Sequence, residues 1–170
     1  MQKRSRRVTF SHIGISLAES ETIFGILNSA FHVMEEDLED LFNDQSVPAG
    51  VKLSFPYPFS DAFFELFAEG WFQIKHVLKD MRRRRGNREF RVQFSFDSFL
   101  RDKEIVHAGL VFKLKNLSQR EFEMGLEKIE YQVDMVTMES SGRSEGGDPY
   151  TYVYNPLRRK WMQQNDYLGS

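Results

Sequence analysis

The sequence predicts an α+β domain of two layers. Three helices pack on one face of a four-stranded, largely antiparallel sheet, in the order β-α-β-α-β-β-α, and an extended C-terminal tail follows. Three observations carry this reading. Phe63, Phe67, Gly70, Ile74, Val77, Leu78 and Met81 recur at spacings of three and four, the period of one helical face. Phe90, Val92, Phe94 and Phe96 alternate with Glu89, Arg91, Gln93 and Ser95, the period of a strand buried on one face only. The segment ESSGRSEGGD is a linker by composition, which divides residues 1–137, a single domain, from residues 138–170, a linker and aromatic, basic tail.

Taken in order, residues 8–17 read as a strand whose phase slips, since Val8 and Phe10 sit on even positions and Ile13, Ile15 and Leu17 on odd ones. A bulge near Ser11 and His12 would reconcile the halves. Ser20 is a candidate cap for a long helix to about Asn43, with Ile23, Leu27, Ala30, Met34, Leu38 and Leu41 as its buried stripe. The acids of that helix crowd its C-terminal half, where the helix dipole disfavours negative charge. That inconsistency asks for a cationic neighbour.

Val51, Leu53, Phe55 and Tyr57 alternate with Lys52 and Ser54 in the second strand, which Pro56 and Pro58 end or confine to an edge. The central helix is capped by Ser60 or Asp61 and stopped by four arginines and Gly86. The strand at residues 89–96 then pairs as an antiparallel hairpin with Val106, Ala108, Leu110, Phe112 and Leu114. Ser118 and Glu121 make the S-x-x-E capping box of the last helix, whose stripe is Phe122, Leu126, Ile129, Val133 and Val136. Strands buried on both faces would not carry Lys52, Arg91, Gln93, Lys113 and Lys115, so one sheet face is expected to be open.

The 170 residues include 16 Phe and no Cys. An aromatic-rich core is implied. Disulfides, cysteine-bound zinc, iron–sulfur clusters and a thiol nucleophile are excluded together. The four His residues have no complete ligand set around them, and neither a Gly-rich phosphate loop, G-x-S-x-G nor H-E-x-x-H occurs. The expectation is a protein without catalytic, metal or cofactor sites. No apolar run long enough for a membrane span exists, and a cytoplasmic protein, or one within a viral or ribonucleoprotein particle, is expected.

Charge is the more informative signal. The net charge of −2 conceals segregation: residues 19–44 carry eight acids and no Lys or Arg, while residues 82–91 carry six Arg and one Glu. Such asymmetry bears on partners rather than on fold. Two functions of different class fit it. In the first, the chain is a structural subunit of a multiprotein assembly such as a virion, ring or sheath. Its acidic patch of Glu35, Glu36, Asp37, Glu39 and Asp40 meets the arginine run of the next copy, a head-to-tail contact that generates rings or filaments. In the second, it binds nucleic acid, RNA above all, through Arg82, Arg83, Arg84, Arg85, Arg88 and Arg91, with Lys52, Lys113 and Lys115 added from the open sheet face. The same arginines also suit a purely structural role as a helix terminus complementing its own dipole. Tyr150, Tyr152, Tyr154 and Trp161, with Arg158, Arg159 and Lys160, give the tail a composition suited to docking on its own sheet or on a partner. The near-neutral balance, with a pI near 6.1, favours the assembly subunit over the nucleic-acid module.

Overall fold

The computed structural model describes residues 7–37, 49–139 and 148–165. In chain order, β1 (Arg7–Ile13) leads through α1 (Leu17–Asn28) to β2 (His32–Asp37), and β3 (Gly50–Phe59) leads through α2 (Asp61–Leu66) and α3 (Ala68–Arg84) to β4 (Arg91–Arg101). After β5 (Glu104–Val106) and β6 (Leu110–Leu114), α4 (Gln119–Lys128), a 3-10 turn (Ile129–Gln132) and α5 (Val133–Glu139) lead to β7 (Tyr150–Asn155) and β8 (Lys160–Gln163).

All eight strands join one mixed sheet in the order β2-β1-β3-β4-β6-β7-β8, with β5 paired to β4. The four-stranded, largely antiparallel sheet with three helices and a trailing tail is therefore corrected. Three pairs are parallel: β1 with β2, β3 with β4, and β6 with β7. Each is bridged by one helical connection, the crossover that parallel strands require. The antiparallel pairing of β4 with β6, Phe94 opposite Phe112, is present as the alternation predicts.

Two local readings change with it. The phase slip in the first strand is its end rather than a bulge: β1 stops at Ile13, and Ser16 caps α1 through a complete capping box with Glu19. The long acidic helix stops at Asn28, and residues 32–37 run as an edge strand. This removes the conflict with the helix dipole, because the acids no longer sit at a helix C-terminus. Further along, α2 and α3 are separate helices broken at Phe67, whose ring folds over Gly70. A Cβ on Gly70 would lie 2.0 Å from that ring, so only glycine fits there.

Register assigns every strand residue to a face. Val8 and Phe10, Val51, Leu53 and Phe55, Val92, Phe94 and Phe96, Leu110, Phe112 and Leu114, and Tyr152 and Tyr154 are buried under the helices. Their rings pack mostly tilted or edge to face, as with Trp71 on Phe94 and Trp161 on Phe112. On the other face a row runs from edge to edge through Glu36, Ser11, Lys52, Gln93, Lys113, Val153 and Met162. No described element covers its centre, where Lys52, Gln93 and Lys113 are half-buried. Val92→Asp is therefore expected to abolish cooperative folding, because it drives an unpaired charge into the core. Gln93→Asp should change the melting temperature by no more than a few degrees. Equal damage from both in thermal denaturation would mean that the second face is covered.

Candidate interaction surfaces

The arginine run is largely consumed inside the chain. Arg82 is buried at the end of α3 and donates to the Leu117 carbonyl at 3.2 and 2.8 Å and to the Gly86 carbonyl at 2.8 Å. It satisfies a helix C-terminus and ties down the approach to α4. Arg85 grips Glu19 with two nitrogens, at 3.0 and 2.8 Å, and its guanidinium lies 4.9 Å from the centre of the Phe90 ring. Arg84 reaches the same carboxylate at 3.3 Å. Hydrogen bonding from Arg85, outweighing the cost of burial, lowers the Glu19 pKa to about 2. Arg83 pairs with Asp80, and Arg91 with Glu89. Arg88 is exposed in the turn after α3. Replacing Arg82, Arg83, Arg84 and Arg85 together by Ala would thus test the fold before it tested any binding.

A second ion cluster ties α3 to the last helical stretch. Lys75, nearly buried, bonds Glu127 at 3.1 Å and Glu130 at 2.7 Å, Lys79 also pairs with Glu127, and Trp71 Nε1 donates to Glu130 at 3.0 Å. Burial disfavours the charged lysine, but Glu130 and Glu127 together raise its pKa above the ordinary value. Both clusters tie helices to their neighbours, and the Glu19, Arg84 and Arg85 cluster also lines a hollow of about 250 Å³ with Gly14, Ser16, Ala49, Arg88 and Glu89.

Of the acidic residues, Glu35, Glu36 and Asp37 lie on β2, at one edge of the sheet, while Glu39 and Asp40 fall outside the described residues. Glu35 accepts from His12 Nε2 at 2.9 Å, Glu36 accepts from Ser11, and the Asp37 side chain is 84% exposed. None of Glu35, Glu36 and Asp37 meets the arginine run; Glu19, at the start of α1, does. The signal for Glu19 was in the sequence, for Ser16 and Glu19 repeat the S-x-x-E spacing of Ser118 and Glu121.

The aromatic residues after the linker form the far side of the sheet. Tyr150, Tyr152, Tyr154 and Trp161 are buried, and Trp161 Nε1 donates to the Gly125 carbonyl at 3.0 Å. A Cβ on Gly125 would approach Leu114 and Tyr154 to 2.8 and 2.9 Å, so glycine lets α4 lie against β6 and β7. The Tyr152 hydroxyl donates to Glu139, and burial raises its pKa well above the ordinary phenol value. Arg158, Arg159 and Lys160 are exposed at the β7–β8 turn, where Arg159 adopts a left-handed φ of 55°.

On the uncovered sheet face Lys52, Lys113 and Lys115 form no ion pair among the described residues. The Lys113 pKa lies below its ordinary value, through burial first and then through Lys115, Arg91 and Lys52. Among the described residues no three His, Asp or Glu side chains are grouped to hold a metal ion, and no helix is long and apolar enough to cross a membrane. Fold and surfaces together define an α+β protein with a mixed sheet covered by helices on one side. Comparison with protein-family models, curated proteins and solved structures finds no match.

Proposed function

We propose that the chain is a non-enzymatic assembly subunit that associates head to tail, the β2 edge of one copy meeting the β7–β8 hairpin of the next. The observation that carries this reading is the opposite charge of the two edges at one end of the sheet. The row through Glu36 on β2 ends at Met162 on β8. Asp37 lies one residue beyond that row, and Lys160 two residues beyond it in the same direction, because β2 and β8 run antiparallel. A second copy that continued the sheet in register would set its Lys160 about one residue step, roughly 3.4 Å, past Asp37, with Arg158 and Arg159 beyond. Within one chain the two edges are six strand spacings apart, on the order of 29 Å, which favours their meeting between copies. Exposed edge strands offer unpaired backbone groups as well as charge, and unlike edges that meet repeatedly generate rings or filaments.

Light scattering after size exclusion tests the proposal. The protein should associate at about 50 mM salt and dissociate at high salt, where exposed charges are screened. Reversing Asp37 and Glu36 to Lys, or Arg158, Arg159 and Lys160 to Glu, should raise the apparent dissociation constant at least about tenfold. Mixing the two variants should restore the contact. A monomer at every salt and concentration, or association indifferent to both reversals, would sink the reading.

A further inference from the structure

We propose that the uncovered face of the sheet binds the sugar–phosphate backbone of a single-stranded nucleic acid through Lys52, Lys113 and Lys115. The site lies within one chain and does not depend on edge-to-edge association.

Three features of the face converge on this ligand. Lys52 and Lys113 share one row across β3, β4 and β6, separated by Gln93, and Lys115 follows two residues along from Lys113. Three ammonium groups thus stand on one face without a carboxylate partner among the described residues, whereas the arginines of the helical layer mostly have one. The charged form of Lys113 is disfavoured by burial first and then by the neighbouring Lys115, Arg91 and Lys52. A folded protein keeps such a cluster at a cost that a bound polyanion would offset.

The second feature is the adjoining row, Thr9, Ser54 and Ser95, which carries hydroxyls where the lysine row carries charge. With Arg7, Phe55, Pro56, Phe96 and Asp97 these residues line a hollow of about 260 Å³ beside the lysines. Hydroxyls and ammonium groups are the donors that phosphate and sugar oxygens accept from, and such contacts hold a strand without reading its sequence. Asp97 stands at the rim, accepting from Ser98.

The third feature decides between nucleic acid and an acidic protein. An acidic polypeptide binds stably when it can also seat an apolar anchor in a pocket. The row of Lys52, Gln93 and Lys113 offers none, and the rings of Phe55, Phe94, Phe96 and Phe112 are buried to 2% exposure or less. The same absence removes base stacking, so binding is expected to be independent of base identity, to act on the backbone, and to be strongly salt-dependent.

Fluorescence anisotropy of a labelled 20-nucleotide oligo(U), titrated with the full chain from 25 to 200 mM salt, provides the test. Three phosphate contacts predict a slope of about −2 in log K against log salt. Lys52→Gln, Lys113→Gln and Lys115→Gln together should weaken binding at least about tenfold at 50 mM salt and flatten the slope towards zero. Lys113→Gln alone should show an intermediate loss, and Arg83→Gln with Arg88→Gln should leave both quantities unchanged. The triple variant should melt at the same temperature as the parent or higher, since it relieves repulsion, so any lost binding is not lost folding. Oligo(dT) of equal length should bind comparably. The proposal is overturned if oligo(U) does not bind at 25 mM salt, or if the triple variant binds it as the parent does. Tighter binding of polyglutamate than of oligo(U) at equal charge concentration would also overturn it and make an acidic protein the ligand.

Discussion

A chain truncated after Thr137 is expected to lose cooperative folding altogether. Truncation deletes β7 and β8 and with them Tyr150, Tyr152, Tyr154 and Trp161, each buried to 4% exposure or less. Removing one large aromatic from a core costs about 3–5 kcal/mol, and a domain holds only about 5–15 kcal/mol in all. The loss also bares the edge of β6, whose Leu110, Phe112 and Leu114 face the helices beside β7. Trp161→Ala is the milder form of the experiment. It should lower stability by about 3–5 kcal/mol in urea denaturation, leaving the Gly125 carbonyl without its indole donor. A truncated chain that still melted in one sharp transition at the parent temperature would show β7 and β8 to be dispensable to the core.

Glu19→Gln should destabilise the chain nearly as severely. It removes the carboxylate that Arg85 grips, and the Arg85 side chain is 9% exposed; breaking a buried pair from one side costs about 3–5 kcal/mol. The pH dependence gives an independent check. Glu19 titrates at about 2 in the folded chain against 4.5 ordinarily. The unfolded chain therefore takes up the proton first as pH falls. The pair's contribution is complete above pH 4.5 and is lost as pH falls towards 2, a loss of about 3 kcal/mol. Stability measured from pH 7 to pH 2 should show parent and Glu19→Gln converging across that window. A gap that stayed constant through it would mean that the Glu19–Arg85 pair carries no such weight.

The charge segregation that shaped the functional reading was legible, but its partners were not. The sequence shows six arginines near one another and eight acids elsewhere; it does not show that Arg84 and Arg85 reach back some 65 residues to Glu19, outside the densest acidic stretch. Likewise, residues 35–37 lie on β2 rather than on a helix, although Ile23, Leu27, Ala30 and Met34 continue a helical spacing past Asn28. Acids piled at the negative end of the dipole spoke against that helix, but the expectation drawn from them, a cationic neighbour, gives way to an edge strand.

Local chemistry determined what depends on neighbours in the chain. The alternation at residues 90–96 set which side chains of β4 are buried; Ser118 and Glu121 started α4; Lys52, Gln93 and Lys113 marked an uncovered face. Tertiary structure decided what depends on distant partners. The brief alternation of Tyr150, Tyr152 and Tyr154 is the same whether those residues form a tail or a strand, and only pairing with β6 at Phe112 and Tyr152 makes them core. Parallel pairing leaves no turn between its strands for the sequence to reveal, since a whole helical crossover separates β1 from β2, β3 from β4 and β6 from β7. That is why the faces of the sheet could be read from the chain, whereas its width, its edges and the charges those edges carry came only with the fold.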